Sequence, residues 1–209
     1  MNTSGDVYIA GSKTVTDWQA LRRKLMLTCD PDLWHEAFHS YFLERLSLRY
    51  LDPIKVIQEN GTFQGEGFSI VAIQCTLIEF LESTFKGLSY RYLRSGERLG
   101  QYEYSNSRDL FMSFLCGRRP FIKEFDGQLA QDFYGGVRCG LLHEARTKNG
   151  WSIWAEGPSG NVISATAKIV YRNNFQAALL EYIDWYKGAL LSDVLLQEAF
   201  IRKFDSLCE

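Results

Sequence analysis

The sequence predicts a mainly α fold, a helical bundle carrying one β-hairpin. Three observations lead there. Apolar residues recur at helical spacing through four long segments, 31–49, 68–86, 128–145 and 174–187. Strand-like alternation is confined to 151–156 and 162–171, on either side of the turn sequence Gly157-Pro158-Ser159-Gly160. Only 4 prolines occur in 209 residues, while 46% of the chain is hydrophobic and 14% aromatic, so a large core is expected and a loop-dominated fold is not.

The elements follow in order. Residues 1–16 are polar and read as a weakly ordered lead, and 17–209 as a single helical domain. A short helix is expected over 17–27. Asp30 followed by Pro31 starts the next one, an N-cap and then proline in the first turn. It runs to about Arg49 and stops before Pro53. A short helix over 54–59 ends at Asn60-Gly61, and Gly65-Glu66-Gly67 breaks the chain. The long helix 68–86 is closed by Gly87 as a C-terminal cap. Residues 88–106 are polar and irregular. Helix 107–116 ends at Gly117, helix 128–145 precedes the hairpin expected over about 151–171, and helices 174–187 and 192–207 close the chain.

Charge and cysteine content narrow the function classes. The net charge is −2 and the isoelectric point is near 6.0. No general field for polyanions is expected, and a nucleic acid would be held at a local site. The beginning of the chain lacks the basic-then-apolar order of a secretion signal. The most apolar stretch, 68–81, is interrupted by Gln74, Thr76 and Glu79 and reads as too short and too polar to span a bilayer. Cys29, Cys75, Cys116, Cys139 and Cys208 are odd in number and show no CxxC spacing. A disulfide framework and a cysteine zinc site are therefore not expected, and a reducing cytoplasm is the expected home.

Two constellations could carry chemistry. The first is His35-Glu36-Ala37-Phe38-His39, an H-E-x-x-H string on a helix. In zinc peptidases this spacing puts both histidines on one face, with the glutamate activating a bound water. Here Trp34, Phe38, Tyr41 and Phe42 form the apolar stripe and both histidines lie on its flank. A third ligand is not evident. The expectation is that no metal binds, and a zinc hydrolase is the third-ranked function.

The second is Arg138-Cys139-Gly140-Leu141-Leu142-His143. On a helical wheel Ala130, Phe133, Tyr134, Val137 and Leu141 make the core face. Arg138, Cys139, Leu142 and His143 lie opposite it, with Arg138 and His143 about 140° apart. A fully solvated face would not carry Leu142 and Cys139 between two polar residues, so a partner subunit is expected there. Gly135, Gly136 and Gly140 each cost about 1 kcal/mol relative to alanine in a helix interior. The Gly136/Gly140 pair reads either as the close-approach point for a partner backbone or as the mark of a kink.

The stretch Asp132-Phe-Tyr-Gly-Gly-Val-Arg138-Cys-Gly-Leu-Leu-His143-Glu resembles the signature helix of the HEPN superfamily, helical domains whose R-x4–6-H motif marks metal-independent endoribonucleases. The wording RCGLLHE is similar to a bacterial subset with a hairpin after the motif helix. The order of helices extends the likeness over most of residues 30–190. Many members carry Asn, Asp or His directly after the arginine, and this chain carries Cys139. The resemblance implies a homodimer and RNA as substrate. It implies no metal or other cofactor, and a role as a toxin or anti-phage effector with an antitoxin or other protein partner. Arg138 and His143 would be catalytic. The alternative it implies is a non-catalytic dimer that binds nucleotide, RNA or a protein.

The chemistry suits these residue types. The 2′-OH of RNA serves as nucleophile, a histidine near neutrality moves its proton, and an arginine holds the phosphate through its two-pronged guanidinium. Glu79, opposite the apolar face of its helix, is a candidate to orient Arg138, but the pattern favours an ordinary solvated glutamate. Tyr134 reads mainly as core, with a supporting role as the alternative, and Cys139 stands beside it as a third supporting candidate. Arg118-Arg119 could contact an RNA backbone, but a basic pair in a loop is more often merely solvated; the mixed set Tyr90, Arg91, Tyr92, Arg94 and Arg98 resembles a single-strand binder, diluted by Glu97 and Glu103.

Overall fold

The computed structural model describes residues 7–28, 30–62 and 64–209. Residues 1–6 of the expected lead, and Cys29, lie outside the described residues. The fold is mainly helical with a few short strands, as the apolar periodicity requires.

We number the strands β1 (Tyr8–Ala10), β2 (Lys13–Thr14), β3 (Ser89–Tyr90), β4 (Glu103–Tyr104), β5 (Ser152–Trp154), β6 (Ile163–Ser164) and β7 (Ile169–Tyr171). The helices are α1 (Val15–Leu25), α2 (31–60), α3 (Glu66–Lys86), α4 (Ser107–Gly117), α5 (127–144), α6 (Arg172–Leu190) and α7 (Val194–Ser206). Where residues 1–16 read as a weakly ordered lead, β1 and β2 pair antiparallel from Tyr8 onward, and α1 already begins at Val15. Thr14 and Asp17 form a reciprocal capping box that fixes this start, a T-x-x-D signal just before the apolar run.

Helix α2 corrects the expected stop before Pro53. It continues from Pro31 to Asn60 as α-helical pieces joined by two wider π-type stretches, Phe38–Leu43 and Ser47–Leu51. Proline cannot donate to the preceding turn, and a π stretch immediately before it has already left the regular ladder. The chain therefore passes Pro53 without breaking.

Contacts group the chain into two compact units. The first comprises the described residues up to Pro53, Thr84–Tyr104 and Tyr186–Glu209. Its core is aromatic: Trp18, Tyr41, Phe42, Phe200 and Phe204 are all buried. The rings of Phe200 and Phe204 lie 4.4 Å apart and those of Trp18 and Tyr41 5.2 Å. Asp205 accepts from Trp18 Nε1 at 2.8 Å and Arg22 Nε at 2.7 Å, tying α1 to α7. Gly87 has φ of 64°, the left-handed conformation expected of a helix-ending glycine.

The second unit comprises Ile54–Ser83 and Ser105–Trp185. Phe111, Phe114, Phe121, Phe133, Phe175 and Tyr182 fill its core together with Ile70, Leu77, Ile78 and Leu81 of α3. Helix α3 extends beyond the expected apolar stretch. By length and composition it is enough to cross a bilayer, yet over half of its most apolar window is buried inside the protein, as in a core helix.

The hairpin expected over 151–171 is a three-stranded sheet instead, in the order β5-β7-β6. β5 pairs parallel with β7, and β6 pairs antiparallel with β7. Gly157-Pro158-Ser159-Gly160 leads into β6 through a single 3₁₀ turn rather than reversing the strand. The reversal lies at 165–168, where Lys168 adopts φ of 51°. That turn contains no glycine, which is why its sequence gave no signal.

Candidate functional site

The motif helix α5 starts at Asp126, whose side chain accepts from Leu129 N at 2.7 Å. Ala130, Phe133, Val137 and Leu141 are buried, the core face that the helical wheel predicts. Midway, Tyr134–Cys139 widens into a π-type turn. Glycines 135 and 136 weaken the regular helix at that point, and such widened turns are frequent at functional sites. The helix ends at Ala145 in a left-handed conformation, φ 53°.

Gly136 and Gly140 do pack tightly, but against their own chain. A Cβ at residue 136 would lie 2.6 Å from Trp151 Cδ1, and one at residue 140 would lie 2.5 Å from the Arg146 carbonyl oxygen. Lys148 N donates to Gly136 O at 2.7 Å. The two glycines thus seat the loop 146–151 of their own chain. Asp132 pins the same loop, accepting from Trp151 Nε1 at 3.0 Å and Asn149 Nδ2 at 3.2 Å and pairing with Lys168. The Lys168 ammonium, followed by these hydrogen bonds, holds the Asp132 carboxyl below its ordinary value.

Arg138 is the centre of the candidate site. Its side chain is 21% exposed. Its Nη2 lies 3.9 Å from Glu79 Oε2 on α3, and its guanidinium carbon 5.3 Å from the centre of the Tyr134 ring, one turn earlier. Ser107 Oγ donates to the other Glu79 oxygen at 2.8 Å, so the carboxylate is held from α4 as well. Tyr134, read from sequence mainly as core, is half-buried and forms a platform under the guanidinium, with Phe111 edge-on at 5.3 Å. Burial first, and then the Cys139 thiol against the opposing charge of Arg138, keep the Tyr134 phenol above its usual value.

A hollow of about 170 Å³ opens beside Arg138, lined by Ala72, Ile73, Cys75 and Thr76 of α3 and by Leu142. Burial pushes the Cys75 thiol up to about 12, so it is an inert wall rather than a nucleophile. Leu142 is 60% exposed, and His143 is exposed in the last turn of α5. The structure therefore gathers Glu79, Tyr134, Arg138 and Cys139 at one place. Among the described residues no hydrogen bond, ion pair or ring contact ties His143 to any of them.

The other sequence candidates fall elsewhere. Arg118 is no surface cation: Glu82, fully buried, accepts from Arg118 Nε at 2.8 Å and Nη2 at 3.0 Å and from Ser113 Oγ at 2.7 Å. That bidentate core pair corrects the expectation of a solvated Arg118, and with it the alternative of an RNA contact. Arg91 pairs with Glu103 at 3.1 Å and with Glu97 at 3.6 Å, so the acidic residues neutralise the mixed basic segment. The His35 and His39 rings lie 6.5 Å apart along α2. Among the described residues no set of three or more His, Cys, Asp or Glu side chains converges as a metal site.

Comparison of the chain with protein-family models, with curated proteins and with solved structures finds no match.

Proposed function

We propose that the chain is a HEPN-like, metal-independent endoribonuclease that acts as a homodimer through Arg138 and His143. The observation that carries the reading is the seating of Arg138. A guanidinium held on one side by Glu79 and underneath by Tyr134 loses little freedom when it grips a phosphate. Leu142, largely exposed between Arg138 and His143, gives a second copy an apolar place to pack.

In the proposed reaction one His143 takes the proton of the ribose 2′-OH. The 2′-oxygen attacks phosphorus, the bond from phosphorus to the 5′-oxygen breaks, and the His143 of the second copy returns a proton to the leaving oxygen. Arg138 neutralises the charge that builds on the phosphoryl oxygens. The products are a 2′,3′-cyclic phosphate and a free 5′-hydroxyl. A toxin or anti-phage effector restrained by an antitoxin is the cellular role that fits such an activity.

A second reading rests on Glu79 and Cys139. An arginine already facing a carboxylate offers a phosphate only part of its fork, and a thiol stands where a polar partner would help. On that reading the dimer binds RNA, a nucleotide or a protein without cutting. Incubation of the wild-type protein with a panel of RNAs in EDTA separates the two. Cyclic-phosphate ends that vanish in a folded His143→Ala variant support the ribonuclease, and intact RNA that is nevertheless retained supports the binding dimer.

A further inference from the structure

Within the second unit a cavity of about 220 Å³ lies between the first turn of α3 and strand β5, away from the residues gathered around Arg138. Glu66, Gly67, Phe68, Ile153, Trp154 and Arg172 are among the residues that line it. Three features set it apart from an ordinary surface dimple. Arg172 is only 9% exposed, and its Nε is buried without a hydrogen-bond partner, a donor left unused inside the protein. Glu66 places a carboxylate oxygen 3.6 Å from Arg172 Nη1, so acceptor and donor stand side by side in a nearly dry setting. Trp154 is 56% exposed and Phe68 41%, two large aromatic faces left to solvent beside that pair.

The volume is below the range of about 300–1,000 Å³ that takes drug-sized ligands, and suits one flat ring system rather than a whole nucleotide. A flat ring needs an aromatic face to lie on, and Trp154 and Phe68 supply it. A ring with both donors and acceptors on its edge matches Glu66 and Arg172 together. Among the four bases guanine offers the fullest match. Its N1–H and N2–H₂ can donate to the carboxylate, while its O6 and N7 accept from a guanidinium. Gly67 keeps this edge open, because a Cβ there would lie 3.2 Å from Arg172 Nη1 and 3.3 Å from Ile153 Cγ2.

We propose that this cavity is a nucleobase pocket that selects guanine. The inference deepens the RNA-processing reading by naming the base the protein would hold, and it stands on residues that take no part in cleavage.

The test reads binding, not cleavage. GMP, AMP, CMP, UMP and ribose 5-phosphate are titrated by calorimetry into the full chain, followed by a single-stranded RNA hexamer with one guanosine and its adenosine counterpart. The expected result is binding of GMP and of the guanosine hexamer, with weaker or no binding of the others. Equal affinity for GMP and the hexamer would identify a free nucleotide as occupant, and tighter binding of the hexamer would identify RNA; either supports the pocket. Trp154→Ala, a change at an exposed ring, should weaken binding about 10-fold or more. Glu66→Gln should abolish the preference for guanine. Because the readout is binding, GMP held by a protein that cuts no RNA would remove the ribonuclease reading alone, and RNA cut by a protein that holds no GMP would remove this one alone. No binding of GMP, equal binding of all four nucleotides, or unchanged affinity in Trp154→Ala would overturn the proposal.

Discussion

Glu79 Oε2 stands 3.9 Å from Arg138 Nη2, and Ser107 holds the opposite carboxylate oxygen at 2.8 Å. Two helices thus set a carboxylate beside the one arginine on which the candidate site depends. A part-exposed ion pair contributes little to stability, so on the proposed reading Glu79 serves to aim Arg138 rather than to hold the fold.

Glu79→Gln should change the stability of the fold by less than about 1 kcal/mol, read from the urea midpoint. If Arg138 grips phosphate, the same variant should bind RNA with altered affinity, because the guanidinium loses its fixed direction. Unchanged RNA affinity and unchanged cleavage together would remove Glu79 from the site.

Gly140 makes a second test. A side chain there meets the Arg146 carbonyl at 2.5 Å, within the same chain. Gly140→Leu should therefore destabilise the monomer by about 1–3 kcal/mol, as overpacking does, whatever the state of assembly. Thermal unfolding at several protein concentrations checks this. A variant as stable as the wild type, but monomeric where the wild type is dimeric, would restore the glycines to a dimer contact.

Glu82 and Arg118 give the largest expected effect. Arg118→Ala leaves a fully buried carboxylate without its bidentate partner, and breaking such a pair costs about 3–5 kcal/mol. Chemical denaturation should show a loss of that order. RNA binding by whatever folded protein remains should be unaffected, since Arg118 faces the core.

Asp132 sets an acid dependence. Its folded pKa lies below the ordinary value of 3.8, mainly through Lys168 and then through Asn149 and Trp151. The unfolded chain takes up the proton first, so the contribution is complete above about pH 3.8 and is lost as pH falls through the lower folded value. Asp132→Asn should flatten the decline of stability in that acid range. An identical decline in both proteins would show that the loop 146–151 does not depend on this carboxylate.

Much of the frame was legible because it rests on periodicity. Phe133, Val137 and Leu141 are buried as their spacing demands, Gly87 ends α3, and Asp30-Pro31 opens α2. Chain passage through Pro53 and the widened turn at Tyr134–Cys139 were not legible, since π stretches have no sequence signal comparable to a cap or a stripe. The reversal before β7 was missed because residues 165–168 contain no turn glycine. At the candidate site, Arg138 and the possibility of Glu79 could be read from sequence. The role of Tyr134 beneath the guanidinium could not, because a half-buried tyrosine on the edge of a core face fits two surroundings equally well. The burial of Arg118 has no local trace, because its partner Glu82 lies 36 residues away in sequence on another helix.

The most direct test of the account is the rate of RNA cleavage in EDTA by wild-type protein, His143→Ala and Arg138→Lys, with folding of each verified by circular dichroism. The account predicts 2′,3′-cyclic phosphate ends from the wild type, a loss of about 10²- to 10⁴-fold in His143→Ala, and failure of Arg138→Lys because an ammonium cannot reproduce the guanidinium fork. Cleavage at the wild-type rate by both folded variants would contradict it.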